Sequence, residues 1–156
     1  VSPVEAPLGD VHADQGLAEL VRAGATYYSD EYAVFDSQGR VHPFAKPIEL
    51  RKPGEYSQSR VHIADIGGKH GIKPLPVGLV IMTRFDDGDR WRPRSLTPGK
   101  AVLELLANTV SARRDPKSAL HTLERVAARA TVLKGRRGEA EKIAPAILRK
   151  LEKLSA

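Results

Sequence analysis

Cysteine is absent from these 156 residues, so neither a disulfide framework nor a thiolate metal site holds the fold together, and nothing marks an oxidising compartment. Aromatic residues are scarce at 5%, which removes most of the stacking platforms that nucleic-acid readers use. Long apolar runs are missing too. The longest, Val77 to Met82, is far short of the roughly 20 residues of a membrane span, and no basic segment followed by an apolar one opens the chain. Cytoplasm is the expected compartment, and a membrane is not an expected partner. The histidines His12, His42, His62, His70 and His121 show neither an H-E-x-x-H spacing nor another paired-ligand spacing, so they read as surface or packing residues. No internal repeat is present.

What is present suits one globular domain: 41% hydrophobic and 28% charged residues in 17.0 kDa. We expect an irregular arm over residues 1–13, carrying Pro3 and Pro7, and a single α/β domain over residues 14–156. A first residue of valine fits a processed chain, or a piece of a longer gene product, equally well. Charge is uneven along the chain. With 25 Lys and Arg against 19 Asp and Glu, the formal charge is +6. Yet the stretch before Lys46 is acidic, with Glu5, Asp10, Asp14, Glu19, Asp30, Glu31 and Asp36 against Arg22 and Arg40. From Arg84 onward basic residues dominate, which favours an anionic partner at that end: nucleotide phosphate, nucleic acid or an acidic protein.

Local patterns predict the elements. Asp14 is placed to cap a short helix with Leu17, Leu20 and Val21 on one face, closed by Gly24. Thr26-Tyr27-Tyr28 and Tyr32 to Phe35 are rich in strand formers, and Asp36 to Gly39 supplies a turn before Val41 to Phe44, giving a hairpin. Prolines 43, 47 and 53 restrict a strand at Ile48 to Arg51 to a short or edge position. Glu55 to Pro76 reads mostly as loop, with Gly67 to Gly71 flexible. Val77 to Phe85 predicts a central strand buried on both faces. Helices follow from Thr97-Pro98, with Val102, Leu105, Leu106, Thr109 and Val110 in one stripe, and from Asp115-Pro116, with Leu120, Leu123, Val126 and Ala127. A strand at Thr131 to Leu133 precedes a last helix from about Gly138-Glu139, with Ile143, Ile147, Leu151 and Leu154 on one side. Pro145 either kinks that helix or marks its first turn.

Two groups of residues could carry chemistry. Adjacent carboxylates at Asp30 and Glu31 follow the first predicted strand, where an open α/β sheet places its ligand crevice; a solvated turn before the hairpin would carry the same residues. Arg84, Arg90, Arg92, Arg94 and Lys100 form a basic stretch, and guanidinium groups suit bidentate contact with phosphate. Lys100 falls in the first turn of a helix, whose amides attract anions. A solvated hairpin, with Trp91 against the sheet and Asp86, Asp87 and Asp89 as partners, explains the same stretch without a ligand. Arg136-Arg137 and the last helix, with Arg149, Lys150 and Lys153, read as a charged solvated face, and nucleic acid is not the expected partner.

Several blocks in order carry a family resemblance. Gly16-Leu-Ala-Glu-Leu-Val-Arg-Ala-Gly24 and Ala25-Thr-Tyr-Tyr-Ser-Asp-Glu-Tyr32 resemble the helix after the phosphate-binding loop, and the acidic strand end, of HPr-kinase-like proteins. Gly39-Arg-Val-His-Pro43, Pro74-Leu-Pro-Val-Gly-Leu-Val80, Arg90-Trp-Arg-Pro-Arg94, Pro98-Gly-Lys-Ala-Val-Leu103 and Gly135-Arg-Arg-Gly-Glu-Ala140 continue it across nearly everything after Asp14. The resemblance implies the α/β nucleotide-binding core shared with phosphoenolpyruvate carboxykinase, a central mixed sheet with flanking helices. It also implies ATP and Mg as cofactors, and an acidic pair, here Asp30 and Glu31, dividing metal binding and proton acceptance. Phosphate would fall to Arg90, Arg92, Arg94 and Lys100.

One departure stands against catalysis by this chain. Where the family carries G-x-x-x-x-G-K-[ST], the sequence reads Leu8-Gly-Asp-Val-His-Ala-Asp-Gln-Gly16, with no Lys, Ser or Thr and with two carboxylates. The expectation is therefore an incomplete nucleotide-binding core: a degenerate or truncated relative of the ATP-dependent HPr serine kinases, binding nucleotide weakly or not at all. The alternative is a non-catalytic scaffold or interaction module of the same fold, covered by a protein partner or by self-association.

Overall fold

A computed structural model describes residues 4–7, 11–30, 32–44, 46–51, 58–88 and 90–155, and side chains within them except at residues 4–7, 11–15, 49–51, 58–59 and 155. Mixed α/β structure is what it shows. In the first half of the chain lie strand β1 (Val4–Pro7), helix α1 (Val11–Arg22), and strands β2 (Thr26–Tyr27), β3 (Tyr32–Phe35), β4 (Arg40–His42), β5 (Ile48–Arg51) and β6 (Gln58–Val61). A 3₁₀ turn (Ile63–Ile66) follows, then β7 (Lys69–His70), β8 (Leu75–Pro76), β9 (Leu79–Phe85) and β10 (Arg94–Ser95). Helix α2 (Pro98–Ala107), a second 3₁₀ turn (Val110–Arg113), α3 (Pro116–Arg129), β11 (Thr131–Arg137) and α4 (Ala140–Ser155) complete the chain.

Among the described residues the strands do not join into one central sheet. They form sheets in the orders β1-β3-β4-β8 and β10-β11-β9, with two-stranded pairs β2-β7 and β5-β6. Antiparallel pairing joins β3 to β4 around the predicted turn. There Asp36 accepts hydrogen bonds from the Gln38 and Arg40 amides at 2.9 and 3.0 Å, and Gly39 takes a left-handed φ of +74°. In the other sheet β9 and β11 run parallel, Thr131 beside Leu79 through Arg137 beside Phe85, and β10 pairs antiparallel with β11.

The core divides along the chain. Val21, Tyr27, Ile48 and Ile63 form one cluster behind α1. Phe35, Leu105, Ala119, Leu123, Val126 and Ala130 form another between β3, α2 and α3, and Ala101, Val102, Ala127 and Val132 form a third under β9 and β11. Helix α3 starts as its sequence predicts, with the Asp115 side chain accepting from the Ser118 amide at 3.0 Å and Pro116 in the first turn.

Several expectations need correction. The arm over residues 1–13 contains β1, paired antiparallel with β3, and the start of α1; Pro7 is tolerated at the strand's end, where a missing amide matters least. Helix α1 therefore begins before Asp14, which is inside the helix and not its cap. The loop over Glu55 to Pro76 contains β6, a 3₁₀ turn, β7 and β8. The glycine-rich Gly67 to Gly71 is held by β7, which pairs parallel with β2, and by the Gly71 amide donating to the Tyr27 carbonyl at 2.7 Å.

Strand β9 is not central: β11 is, and β9 lies at the sheet edge with no residue fully buried. Its apolar run reflects packing of one face and an open groove beside it, not burial on both sides. Nor do β9 and β10 form a hairpin, because β11 lies between them. Helix α2 stops at Ala107, so Thr109 and Val110 fall outside its stripe. Thr109 is buried, with its hydroxyl donating to the Leu105 carbonyl at 2.7 Å, whereas Val110 is exposed. Helix α4 spans Ala140–Ser155, so Pro145 sits inside it and does not mark its first turn.

Candidate functional site: a basic groove beside the parallel strands

Strand periodicity builds this site. Register neighbours in a sheet share a face, and residues two apart along a strand do too. One face of the β10-β11-β9 sheet therefore carries Val80, Met82 and Val132, then Arg84, Lys134, Arg136 and Arg94. The apolar members pack under Ala101, Val102 and Ala127. Beyond the helices the same face turns cationic, at the carboxyl ends of the parallel pair, where open α/β sheets place ligands.

Beside these residues is a cavity of about 1020 Å³. Its apolar wall includes Phe35, Val41, Leu75, Ile81 and Leu105, drawn from both larger sheets and α2. Arg84, Arg92, Arg94, Lys134, Arg136 and Arg137 line it from the basic side. Two of the cations are neutralised locally: Lys134 by Glu104 of α2, and Arg136 by Asp86 at 2.7 Å. Arg137 is buried, its guanidinium 5.7 Å from the centre of the Phe85 ring and donating to the Gly138 carbonyl. Arg84, Arg92 and Arg94 have no ion-pair partner among the described residues. Ser29, also on the wall, buries a hydroxyl with no hydrogen-bond partner among the described residues.

The basic stretch anticipated from sequence is thus divided. Arg84, Arg92 and Arg94 meet at the cavity, whereas Arg90 is exposed and does not line it. Lys100 is exposed in the first turn of α2, while Glu104, Leu105 and Asn108 reach the cavity from the other end; along the helix axis Lys100 and Asn108 are about 12 Å apart. Sequence reasoning missed Lys134, and it placed Arg136 and Arg137 on a solvated face although both line the cavity and Arg137 is buried. The signal was available: alternation through Thr131–Arg137 puts Val132, Lys134 and Arg136 on one side of a strand.

Asp30 is half-buried in the bend between β2 and β3, next to Ser29, and is not part of the cavity wall. Glu31 lies outside the described residues. Among the described residues no group of three His, Cys, Asp or Glu is arranged to hold a metal ion. No helix of the described residues is long and apolar enough to cross a membrane. No protein-family model, curated protein or solved structure matches this chain.

Proposed function

We propose that this chain is a relative of the ATP-dependent HPr serine kinases, degenerate or truncated at the loop that grips the triphosphate, and that by itself it holds an anionic group without transferring phosphate. The observation that carries the reading is the convergence of Arg84, Arg92 and Arg94 on one cavity with no ion-pair partner among the described residues. Surface guanidiniums are usually solvated singly; three around one concavity raise the local potential and suit phosphate or carboxylate oxygens. The ordered sequence blocks support kinase ancestry and a nucleotide-type core. By that resemblance ATP and Mg would be the cofactors of a chain that keeps the loop, with Asp30 and Glu31 as its acidic pair. Phosphoryl transfer depends on positioning and charge neutralisation, and the glycine-rich loop with its lysine is missing from this sequence.

Isothermal titration tests both halves. MgATP should give no dissociation constant in the micromolar range, whereas metal-free pyrophosphate should give weak, salt-sensitive binding that disappears in the Arg84→Ala/Arg92→Ala variant. Tight MgATP binding would overturn the loss of grip. Pyrophosphate binding that is absent, or that ignores the arginine substitutions, would overturn the anion site.

A further inference from the structure

We propose that the free edge of β9 accepts one added strand: an extended segment of a protein partner, apolar along its length and acidic where it passes Arg84. This rests on the reading of the groove as a site for anionic groups, and names what presents them.

The backbone supplies the first argument. Thr131 donates to the Gly78 carbonyl at 3.0 Å and the Asp86 amide donates to the Arg137 carbonyl at 2.9 Å, so the even-numbered residues of β9 bond to β11. In a parallel ladder both polar groups of one residue point the same way, and those of the next point oppositely. The amides and carbonyls of Leu79, Ile81 and Thr83 therefore face away from β11, and no described residue hydrogen-bonds them. Such an edge is a template for strand addition, and β9 has no proline, no lysine and, among the described residues, no strand paired on this side; its one charge is Arg84.

Shape supplies the second. Successive strand residues point to opposite faces, yet every residue of β9 lines the same groove, so the groove runs along the edge and not only over one face. Across it stand Val41 and Leu75 of the other sheet.

Charge chooses the occupant. A second copy paired through β9 would bring two sets of Arg84, Arg92 and Arg94 together, and the chain already carries +6. An acidic-ended segment meets them favourably.

The probe is a short fluorescein-labelled peptide of alternating valine and threonine flanked by glutamates, with a lysine-flanked counterpart, titrated by polarisation against the full chain. The glutamate peptide should bind saturably and protect the Leu79, Ile81 and Thr83 amides from hydrogen exchange. Thr83→Pro removes an outward amide and leaves the β11 ladder intact, so binding should weaken at least about tenfold with an unchanged melting temperature. Arg92→Glu/Arg94→Glu, at exposed positions, should reverse the preference toward the lysine peptide, which keeps the test open if the proline variant fails to fold. Equal affinity for both peptides, no saturable binding, or a dimer that Thr83→Pro dissociates would overturn the proposal. Pyrophosphate binding that survives alongside peptide failure would leave the anion site standing and remove only the added strand; failure of both removes both.

Discussion

Asp36 shows how much one side chain fixes locally. Partial burial pushes its carboxyl up, but hydrogen bonds from the Arg40 amide, His42, the Arg40 guanidinium and the Gln38 amide outweigh that and hold it well below the usual carboxylate range. A carboxyl depressed in the folded state contributes stability above its unfolded pKa of about 4, and that contribution drains away as pH falls further. Wild type should therefore lose more of its urea midpoint between about pH 5 and about pH 3 than Asp36→Asn does. Near neutrality the substitution should itself cost about 1–3 kcal/mol. Gly71 is a second such position. A Cβ there would lie 2.1 Å from Tyr28 Cε2, and the ring is tied by its hydroxyl to the Lys73 carbonyl at 2.8 Å. Gly71→Ala should lower stability by about 1–3 kcal/mol in denaturant melts, because ring and loop must separate.

At the scale of elements, the helices were the most legible. Thr97-Pro98 and Asp115-Pro116 mark the two starts, although only Asp115 makes a capping hydrogen bond with its side chain. The stripes bury Val102 and Leu105 in α2 and Leu123, Val126 and Ala127 in α3, while Leu120 stays exposed. Strands were less so. A continuous apolar run suits a strand buried on both faces or one bordering a groove, and only pairing partners separate these cases; β9 is the second. Its edge position makes a measurable contrast. In native-state hydrogen exchange the Val80 and Met82 amides, bonded to β11, should be protected well beyond those of Leu79 and Ile81, and equal protection along the strand would contradict the pairing described.

Across the whole molecule, the cluster around Leu123 joins the two larger sheets, since Phe35 and Val41 meet it from one side and Val80 from the other. Leu123 is fully buried, and Leu123→Ala should cost about 2–5 kcal/mol and lower the thermal midpoint of both sheets together. Far-UV circular dichroism and the Trp91 fluorescence should report one coincident transition. The same arrangement determines the site, because the cavity needs walls from β3, β4, α2, β9 and β11 at once.

By itself, the amino-acid sequence determined the α/β class, the helix starts at Pro98 and Pro116, the hairpin at Asp36 to Gly39 and the location of excess positive charge late in the chain, because these depend on neighbours a few residues apart. Which arginines converge was decided only by tertiary structure. Arg136 lies more than forty residues after Arg84 and Arg94 in the chain and joins them on one face solely because β11 inserts between β9 and β10, a long-range pairing that local periodicity does not encode.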